Sequence, residues 1–506
     1  MEYGLFKNYS ESSIDLRFGV DNLRHLHQES WDVSKVPGGN RAGSISHGAE
    51  TSPGVGNDVN ETAYMQGSLK TCSNVAAIHA YIGSSRCCEG NHNMGHFRTS
   101  TESARLSADS ICLSRGRDFG DGDPLISPLV QSTTFCRSGV GSDPDHQYSR
   151  VSNPTVSILE NLLGDLEDAL PAVTFGTGLA AETALFLAVL KHGDHVICGQ
   201  SVYGGTTRLF QQLLSDLGVE TTFVDSTQPN KVREAIRPST KLIFVETPAN
   251  PTLGITDIEA CARIAHDSGI LLAVDNTFLT AVLQRPLDFG ADISVYSTTK
   301  FIDGHSVALG GAVVVNDQQL LDRIRFIRKC TGAIQSPFNA WLTINGLKTL
   351  PLRIRTQSKN AESIAQWLDD QPEIRTVYHP SLACGASKQT TDRQHIGGHG
   401  AVVSFEIEGG YDAGCEFVQN LKLCTLVEHV GSVETLITHP ASMTHADVPR
   451  DQRYEAGISD GLLRLSVGIE NHEELLLDLR KGLDAVVGIQ SSSCSQPENS
   501  KEVAVV

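Results

Sequence analysis

Polar side chains follow three apolar runs in the middle of the chain. The runs "KLIFV", "ILLAV" and "ISVYS" lead into Glu246 with Asn250, into Asp275, and into Lys300, respectively. Short apolar runs alternating with amphipathic stretches such as "IEACARIAHDSG" predict parallel strands covered by helices on both faces. Because parallel strands end at one edge of a sheet, these polar groups are expected to meet there. That edge is the predicted ligand site.

Lys300 and Asp275 together favour chemistry that neither favours alone. A lone lysine is usually a surface residue with its stem packed on apolar neighbours, and a lone Asp after a strand is usually a turn residue or helix N-cap. As a pair they fit pyridoxal phosphate, since the amine can form a Schiff base and the carboxylate can keep the ring nitrogen protonated. Ser297 and Thr299 are two residues apart, so a strand would point both hydroxyls at the phosphate.

A second phosphate-binding element is predicted at "FGTGLAAE", where a Gly-rich turn opens a helix. The free N–H groups of Gly178 and Leu179, with the hydroxyl of Thr177, would form an anion site, although most Gly-rich helix starts are only tight turns. In "SVYGGTTR", the ring of Tyr203 has two interpretations, stacking on a flat ligand or simple packing.

Eight motifs extend this pattern along the chain: "YSRVSNPT", "GTGLAA", "VYGGTTR", "ETPANPT", "VDNTF", "YSTTKFIDGHS", "HPASMTH" and "LRLSVGIE". Their order and approximate spacing, from about Pro124 to Leu483, resemble the Cys/Met-metabolism family of pyridoxal-phosphate enzymes. The resemblance implies a pyridoxal 5'-phosphate cofactor and an α/β, aspartate-aminotransferase-like (fold type I) architecture. It also implies a mostly parallel sheet, a smaller α+β C-terminal domain, and a homotetramer whose smallest active unit is a dimer.

The resemblance also implies roles for individual residues. Lys300 would hold the cofactor and act as the base, Asp275 would pair with the ring nitrogen, and Tyr203 would stack on the ring and assist proton transfer. The phosphate would be bound by Ser297, Thr299, Thr177, Gly178 and Leu179, and by Tyr148 and Arg150 of a neighbouring subunit. Arg464 would bind the substrate α-carboxylate in bidentate fashion, with Asn250 beside it.

Four further positions bear on the substrate class. Arg208 and Glu428 stand where relatives that act on cystathionine carry the same residues, which favours a substrate or product with a second amino-acid head group. The alternative is a solvated helix charge and a loop carboxylate. His429 occupies a position that is often serine and that helps to hold the carboxylate, and Val307 replaces a frequent acid after "GHS". The expected reaction is replacement of the acyl group of an O-acylhomoserine by cysteine. The alternatives are γ-elimination from cystathionine or methionine, sulfhydrylation, and a non-catalytic protein that kept the fold.

The chain is expected to divide into five segments. Residues 1–93 are rich in Gly, Ser, Asn and Pro and are expected to be disordered, or to be an extension upstream of the true start. Residues 94–155 are expected to form an arm that reaches a neighbouring subunit. The cofactor domain is predicted at 156–346, the C-terminal domain at 347–487, and a flexible tail at 488–506.

Composition excludes several partner classes. With 40 basic and 59 acidic residues the formal charge is −19, which disfavours nucleic acid and anionic membranes. The 12 cysteines lack a CxxC pair, and no apolar stretch is long enough for a membrane span, so a cytoplasmic protein is expected. No histidine spacing matches a metal site, and the strand-following GxGxxG of a dehydrogenase does not occur. The expected partners are small amino-acid substrates and further copies of the chain.

Overall fold

Two β-sheets organise the part of the chain that the computed structural model describes, residues 105–114, 121–446 and 448–493. The first sheet has seven strands in the order β1-β7-β6-β5-β4-β2-β3. They are β1 Val173–Phe175, β2 His195–Gly199, β3 Glu220–Val224, β4 Thr240–Glu246, β5 Leu271–Asp275, β6 Ile293–Tyr296 and β7 Gly311–Val315. Only β7 runs antiparallel to its neighbours, so the sheet is mostly parallel, as expected.

Helices cover both faces of this sheet. Along β4, Leu242 and Phe244 pack into one apolar cluster, while Ile243 and Val245 pack into another on the opposite face. Alternate side chains of a strand point to opposite faces, so the continuous apolar run "LIFV" reflects burial on both sides. The α-helices of the described residues are Ala108–Ser114, Pro154–Glu167, Gly178–Val189, Gly204–Arg208, Pro229–Glu234, Ile258–Asp267, Thr280–Leu283, Gln318–Thr331, Pro337–Leu347, Leu350–Asp369, Gly385–Gln394, Gly410–Gln419, Arg450–Glu455 and His472–Ser493. A π-helix spans Leu209–Leu214. Short 3-10 helices span Pro286–Phe289, Pro380–Leu382 and Pro440–Ser442.

Three parallel strands bring their polar carboxyl ends together. β4 and β5 pair so that Glu246 lies beside Asp275, and β5 pairs with β6. One detail of the sequence-based prediction is wrong, because β6 ends at Tyr296 and residues 297–303 form turns. Ser297 and Thr299 are therefore brought together by a turn and not by the two-residue period of a strand.

The second sheet has five strands in the order β10-β11-β12-β9-β8. They are β8 Ile374–Tyr378, β9 Val402–Ile407, β10 Thr425–Leu426, β11 Leu436–Thr438 and β12 Leu462–Ser466. Its neighbouring strands are antiparallel except for the β10–β11 pair. Together with its helices this sheet gives the expected α+β texture, while the predicted boundary at 346/347 stays a prediction.

The two terminal segments lie largely outside the described residues, but the last helix is described. The predicted extension, residues 1–93, lies outside the described residues, as does the end of the predicted tail, residues 494–506. The last helix, His472–Ser493, continues beyond residue 487, and the flexible tail at 488–506 stays a prediction. Leu475, Leu479, Leu483 and Val486 recur at helical spacing and are buried, which anchors the helix up to that point.

Neither a membrane-spanning helix nor a disulfide is found in the described part of the chain. No helix there combines the length and hydropathy that a bilayer span requires. The eight cysteines within the described ranges are all unpaired. The cytoplasmic location that was expected from cysteine usage stays a prediction.

Candidate active site

A cavity of about 510 Å³ opens at the carboxyl edge of the seven-stranded sheet. All the predicted site residues line it except Tyr148 and Arg150. The first sheet and its loops contribute Thr177, Gly178, Leu179, Tyr203, Arg208, Asn250, Asp275, Ser297, Thr299 and Lys300, and the second sheet and its loops contribute Glu428, His429 and Arg464. Groups that are up to 287 residues apart in sequence thus share one concave site.

One end of the cavity is suited to a phosphate. Thr177 caps the helix Gly178–Val189 by accepting a hydrogen bond from the Ala180 N–H at 3.0 Å. The N–H groups of Gly178 and Leu179 belong to the first turn and have no partner within the helix. A Cβ on Gly178 would lie 2.9 Å from the Ser297 Cβ, so the helix start and the Ser297 turn nearly touch. The donors there fit the cofactor's phosphate.

Thr299 contributes less to this end than the sequence suggests. Its hydroxyl donates to the Gly310 carbonyl at 3.0 Å and accepts from the Gly310 N–H at the same distance. The one donor of the Thr299 hydroxyl is therefore used within the protein. The Ser297 hydroxyl has no hydrogen-bond partner among the described residues, so it can donate to a phosphate.

Replacing Gly178 with alanine is expected to weaken cofactor binding. The new Cβ would push Ser297 away from the helix start, while alanine itself favours a helix, so the fold should persist. We expect the dissociation constant for pyridoxal phosphate to rise about tenfold, a loss of ~1.4 kcal/mol.

The matched control for this substitution is Gly139→Ala, because a Cβ there meets nothing within 4 Å. Equilibrium dialysis of both variants against the cofactor makes the comparison. Equal affinities for the two variants would contradict a phosphate site at Gly178.

The centre of the cavity carries buried carboxylates. Asp275 accepts a hydrogen bond from the Thr277 N–H at 2.8 Å, and burial raises its pKa even so. Burial and the neighbouring charge of Asp275 also raise the pKa values of Glu246 and Glu182. Each of these buried carboxyl groups needs a cationic partner in order to be ionised. The protonated ring nitrogen of pyridoxal phosphate fits that need, and Asp275 is the residue that would hold it.

Lys300 lines the cavity from the turn after β6. Burial and the charge of Arg464 lower its pKa to about 8. At pH 7 about one-tenth of such amines are neutral, compared with less than one in a thousand at the ordinary value. The Lys300 Nζ lies 3.2 Å from Nδ1 of His429, within hydrogen-bond distance. The lysine is thus poised to act as a nucleophile and a base.

Arg464 forms the opposite wall of the cavity from the central part of β12. Its Nη1 donates to the Asn250 Oδ1 at 2.9 Å, and its Nη2 donates to the Thr438 Oγ1 at 3.1 Å. The residue is 3% exposed, its Nε has no partner among the described residues, and no described carboxylate forms an ion pair with it. Burial lowers the pKa of its guanidinium to about 10. A buried guanidinium without a counter-ion is suited to binding a substrate carboxylate.

The rim carries Tyr203, Arg208 and Glu428, all of them exposed. The Tyr203 N–H donates to the Glu246 Oε2 at 2.8 Å, which ties the rim to the end of β4. A Cβ on Gly205 would lie 2.5 Å from the Tyr203 ring, so only glycine at 205 lets the ring fold back over the start of its helix. Tyr203 then lines the cavity beside the end of β4.

Tyr148 and Arg150 do not reach this cavity. Both are exposed, and the Arg150 guanidinium lies 5.5 Å from the centre of the Tyr148 ring. Arg150 Nη1 donates to the backbone oxygen of Lys329 at 2.8 Å. Their predicted role at a neighbouring subunit's site stays a prediction.

Sequence reasoning missed two groups that shape the site. Glu182 lines the cavity and accepts from the Thr206 hydroxyl at 2.7 Å. It stands four residues after Gly178 in one helix, and that spacing could have placed both on one face. Thr277 donates its N–H to Asp275 and accepts the Ser297 N–H at 2.8 Å, so it links β5 to the turn of Lys300. No metal centre joins them, since the described residues contain no group of three or more metal-binding side chains suitably arranged.

The fold and the donor set define a pyridoxal-phosphate enzyme of fold type I. The sequence model of the Cys/Met metabolism PLP-dependent enzyme family matches residues 111–484. The chain therefore belongs to the Cys/Met-metabolism family of PLP-dependent enzymes, which form or cleave C–S bonds.

Several characterised relatives are similar over most of their length. The cystathionine gamma-lyase of Bacillus subtilis is 42% identical over 359 residues, 71% of this chain and 94% of the relative. The L-methionine gamma-lyase of Fusobacterium nucleatum subsp. polymorphum is 40% identical over 373 residues, 72% of this chain and 94% of the relative. Among solved structures, cystathionine gamma synthase from Xanthomonas oryzae pv. oryzae, in complex with aminoacrylate and cysteine, has a TM-score of 0.74. It is 42% identical, and the match covers 76% of this chain and all of that one.

Proposed function

We propose that the protein acts at the Cγ–S bond of cystathionine, joining an O-acyl-L-homoserine to L-cysteine. The observation that carries this proposal is the pair Arg208 and Glu428 on the rim of the cavity that holds Lys300 and Arg464. A second amino-acid head group carries a carboxylate and an ammonium, and an arginine and a glutamate can bind them respectively. The similarity to a cystathionine gamma synthase structure supports the direction of the reaction.

The chain's own groups perform the proton transfers in this proposal. Bound pyridoxal phosphate supplies the electron sink that makes the substrate Cα–H acidic. Asp275 keeps the cofactor's ring nitrogen protonated, and Ser297 with the N–H groups of Gly178 and Leu179 holds the phosphate. Arg464 orients the substrate through its α-carboxylate, so the Cα–H points at the Nζ of Lys300. Lys300 takes that proton as a general base, and Tyr203 assists departure of the γ-substituent.

A second candidate is γ-elimination from cystathionine, in which water is consumed and cysteine, 2-oxobutanoate and ammonia are released. The similarity to cystathionine gamma-lyases supports it, including 42% identity to the Bacillus subtilis enzyme and 43% identity to the Bos taurus enzyme. The same rim charges would bind the same substrate. The two candidates differ in whether a thiol or a proton finally adds to the carbon chain.

A substrate panel tests the proposal. The purified enzyme is offered O-acetyl- and O-succinylhomoserine with cysteine or sulfide, and separately cystathionine and methionine. Cystathionine formation as the fastest reaction supports the synthase, and 2-oxobutanoate release from cystathionine as the fastest favours the lyase. Methanethiol release from methionine at a matching rate would contradict both, as would an absence of turnover.

Replacing Arg208 with glutamine is expected to raise the KM for cysteine or cystathionine about tenfold, because one charge-assisted hydrogen bond to the distal carboxylate is lost. The kcat should change little, since Arg208 would bind the distal head group and not the reacting carbon. Arg233→Gln removes the same charge from an exposed helix outside the cavity and is the matched control. Equal KM values for the two variants would remove Arg208 from substrate recognition.

We also propose that the enzyme is a homotetramer whose dimer shares its active sites through Tyr148 and Arg150. Their exposure and distance from their own cavity support this. Lys300→Ala and Arg150→Ala subunits, each nearly inactive alone, should regain about a quarter of wild-type activity when unfolded and refolded together in equal amounts. Half of the dimers would then be mixed, and each would contain one complete site. Recovery no greater than the sum of the separate variants would show that Arg150 serves its own subunit.

A further inference from the structure

The side chain of His429 contacts the amine of Lys300. The distance from Nδ1 to Nζ is 3.2 Å, and His429 is the one hydrogen-bond partner that the described residues give to the Lys300 side chain. The backbone oxygen of His429 also lies 3.4 Å from Nη2 of Arg464. His429 thus stands between the lysine and the residue suited to the substrate carboxylate.

The loop that carries His429 is held against the Lys300 turn. Gly431 has a φ of +88°, and a Cβ there would lie 2.5 Å from the N of Phe301. Glycine therefore permits a backbone conformation and a close approach that other residues would disturb. The Gly431 N–H also donates to the Ser466 Oγ at 2.8 Å, at the end of β12. These contacts hold the loop backbone two residues from His429 against the Lys300 turn.

The His429 ring is neutral at physiological pH. Burial and the charges of Lys300 and Arg464 lower its pKa to about 4. A neutral imidazole carries one hydrogen, and opposite the ammonium form of Lys300, which has donors only, Nδ1 is the unprotonated nitrogen. The hydrogen then lies on Nε2, which is buried without a partner in the described structure. A second proton on the ring would place a donor against the lysine, so the geometry keeps Nδ1 as an acceptor.

We propose that His429 is a positioning residue for Lys300, accepting a hydrogen bond from the amine and so directing its lone pair into the cavity. A neutral amine has two hydrogens and one lone pair, and only the lone pair attacks a carbonyl or takes a proton. The hydrogen bond also stabilises the ammonium form of Lys300 and so raises its pKa, whereas burial and the charge of Arg464 lower that pKa. The proposal rests on the proposed function only through the role of Lys300.

The rate at which Lys300 captures pyridoxal 5'-phosphate depends on the direction of its lone pair and on its pKa, and it can be measured without any substrate. In this step the amine nitrogen bonds to the aldehyde carbon, gives up two hydrogens, and the aldehyde oxygen leaves as water. The full-length enzyme is stripped of cofactor, and capture is followed by absorbance from pH 6 to pH 10, with borohydride trapping to locate the bond. Besides Arg464, the titratable groups on the cavity wall are Glu182, Tyr203, Arg208, Glu246, Asp275 and Glu428, and every variant retains them.

The decisive pair of variants is His429→Asn and His429→Leu, whose side chains have the same number and branching of heavy atoms but differ in the acceptor. Asparagine places an amide oxygen near the position of Nδ1. We expect the leucine variant to lower the pH midpoint of capture by about one unit and the plateau rate about fivefold. The asparagine variant should stay within about twofold of wild type on both measures. Thermal unfolding checks the fold, and His429→Ala replaces the leucine variant if that one does not fold.

Two outcomes would overturn the proposal. If both variants match wild type, the contact has no influence on Lys300. If both are impaired to the same extent, His429 acts through the size of its ring. An enzyme that captures the cofactor at Lys300 but converts none of the panel substrates would instead contradict the proposed function, and the effect at His429 could still be measured.

Discussion

Replacing Lys300 with alanine is expected to abolish covalent attachment of the cofactor and to lower kcat by at least ~10²-fold, from loss of the base alone. Lys300 is the only lysine that lines the described cavity. Its lowered pKa, about 8, increases the neutral amine, and no carboxylate on the cavity wall can form a Schiff base in its place. The measurement is visible absorbance of the purified variant, with borohydride reduction and peptide mapping, followed by turnover of the preferred substrate.

Lys300→Arg is the matched control, because arginine keeps the positive charge but cannot lose its proton in this pH range. Both variants should bind pyridoxal phosphate without a covalent bond, since Ser297, Asp275 and the first turn of the helix Gly178–Val189 remain. Alanine opens space, so added alkyl amines are expected to restore part of its activity and none of that of the arginine variant. A labelled lysine elsewhere, or full activity in either variant, would contradict the assignment.

Much of the site could be predicted because its residues follow strands. The apolar runs before Glu246, Asp275 and Lys300 identify buried parallel strands, and the geometry of such sheets brings their ends together. Local reasoning failed where a tertiary contact sets the conformation. Thr299 would face the phosphate if the strand continued, but the chain turns after Tyr296. The Thr299 hydroxyl instead forms hydrogen bonds with the backbone of Gly310.

Contacts between segments that are distant in the sequence could not be predicted from local sequence patterns. Strand β7, with the sequence "GAVVV", inserts antiparallel between β1 and β6, and no sequence rule gave its place. A Cβ on Gly311 would lie 2.2 Å from the Thr177 oxygen, so this strand must begin with glycine where it passes the phosphate end of the site. The contact between His429 and Lys300 spans 129 residues. From the sequence, His429 was expected only beside the substrate carboxylate, as a departure from the family pattern.

Replacing Arg464 with lysine is expected to lower kcat/KM for the preferred substrate by about 10²-fold or more. The guanidinium donates to both Asn250 and Thr438 while its Nε remains free, and one ammonium cannot reproduce these directions. The variant would leave buried polar atoms unsatisfied and the substrate carboxylate poorly oriented. The loss should appear in KM and kcat together, because the same bond binds the substrate and aims its Cα–H at Lys300.

Competitive inhibition separates this effect from general damage to the site. L-Norleucine and pentylamine differ only by the carboxylate, so Arg464→Lys should weaken inhibition by norleucine at least about tenfold and leave that by pentylamine within about twofold. Thr438→Val removes one acceptor of Arg464 without touching the guanidinium and should give a smaller loss of the same kind. If Arg464→Lys weakens both inhibitors equally, the arginine supports the cavity wall through Asn250 and does not bind the carboxylate.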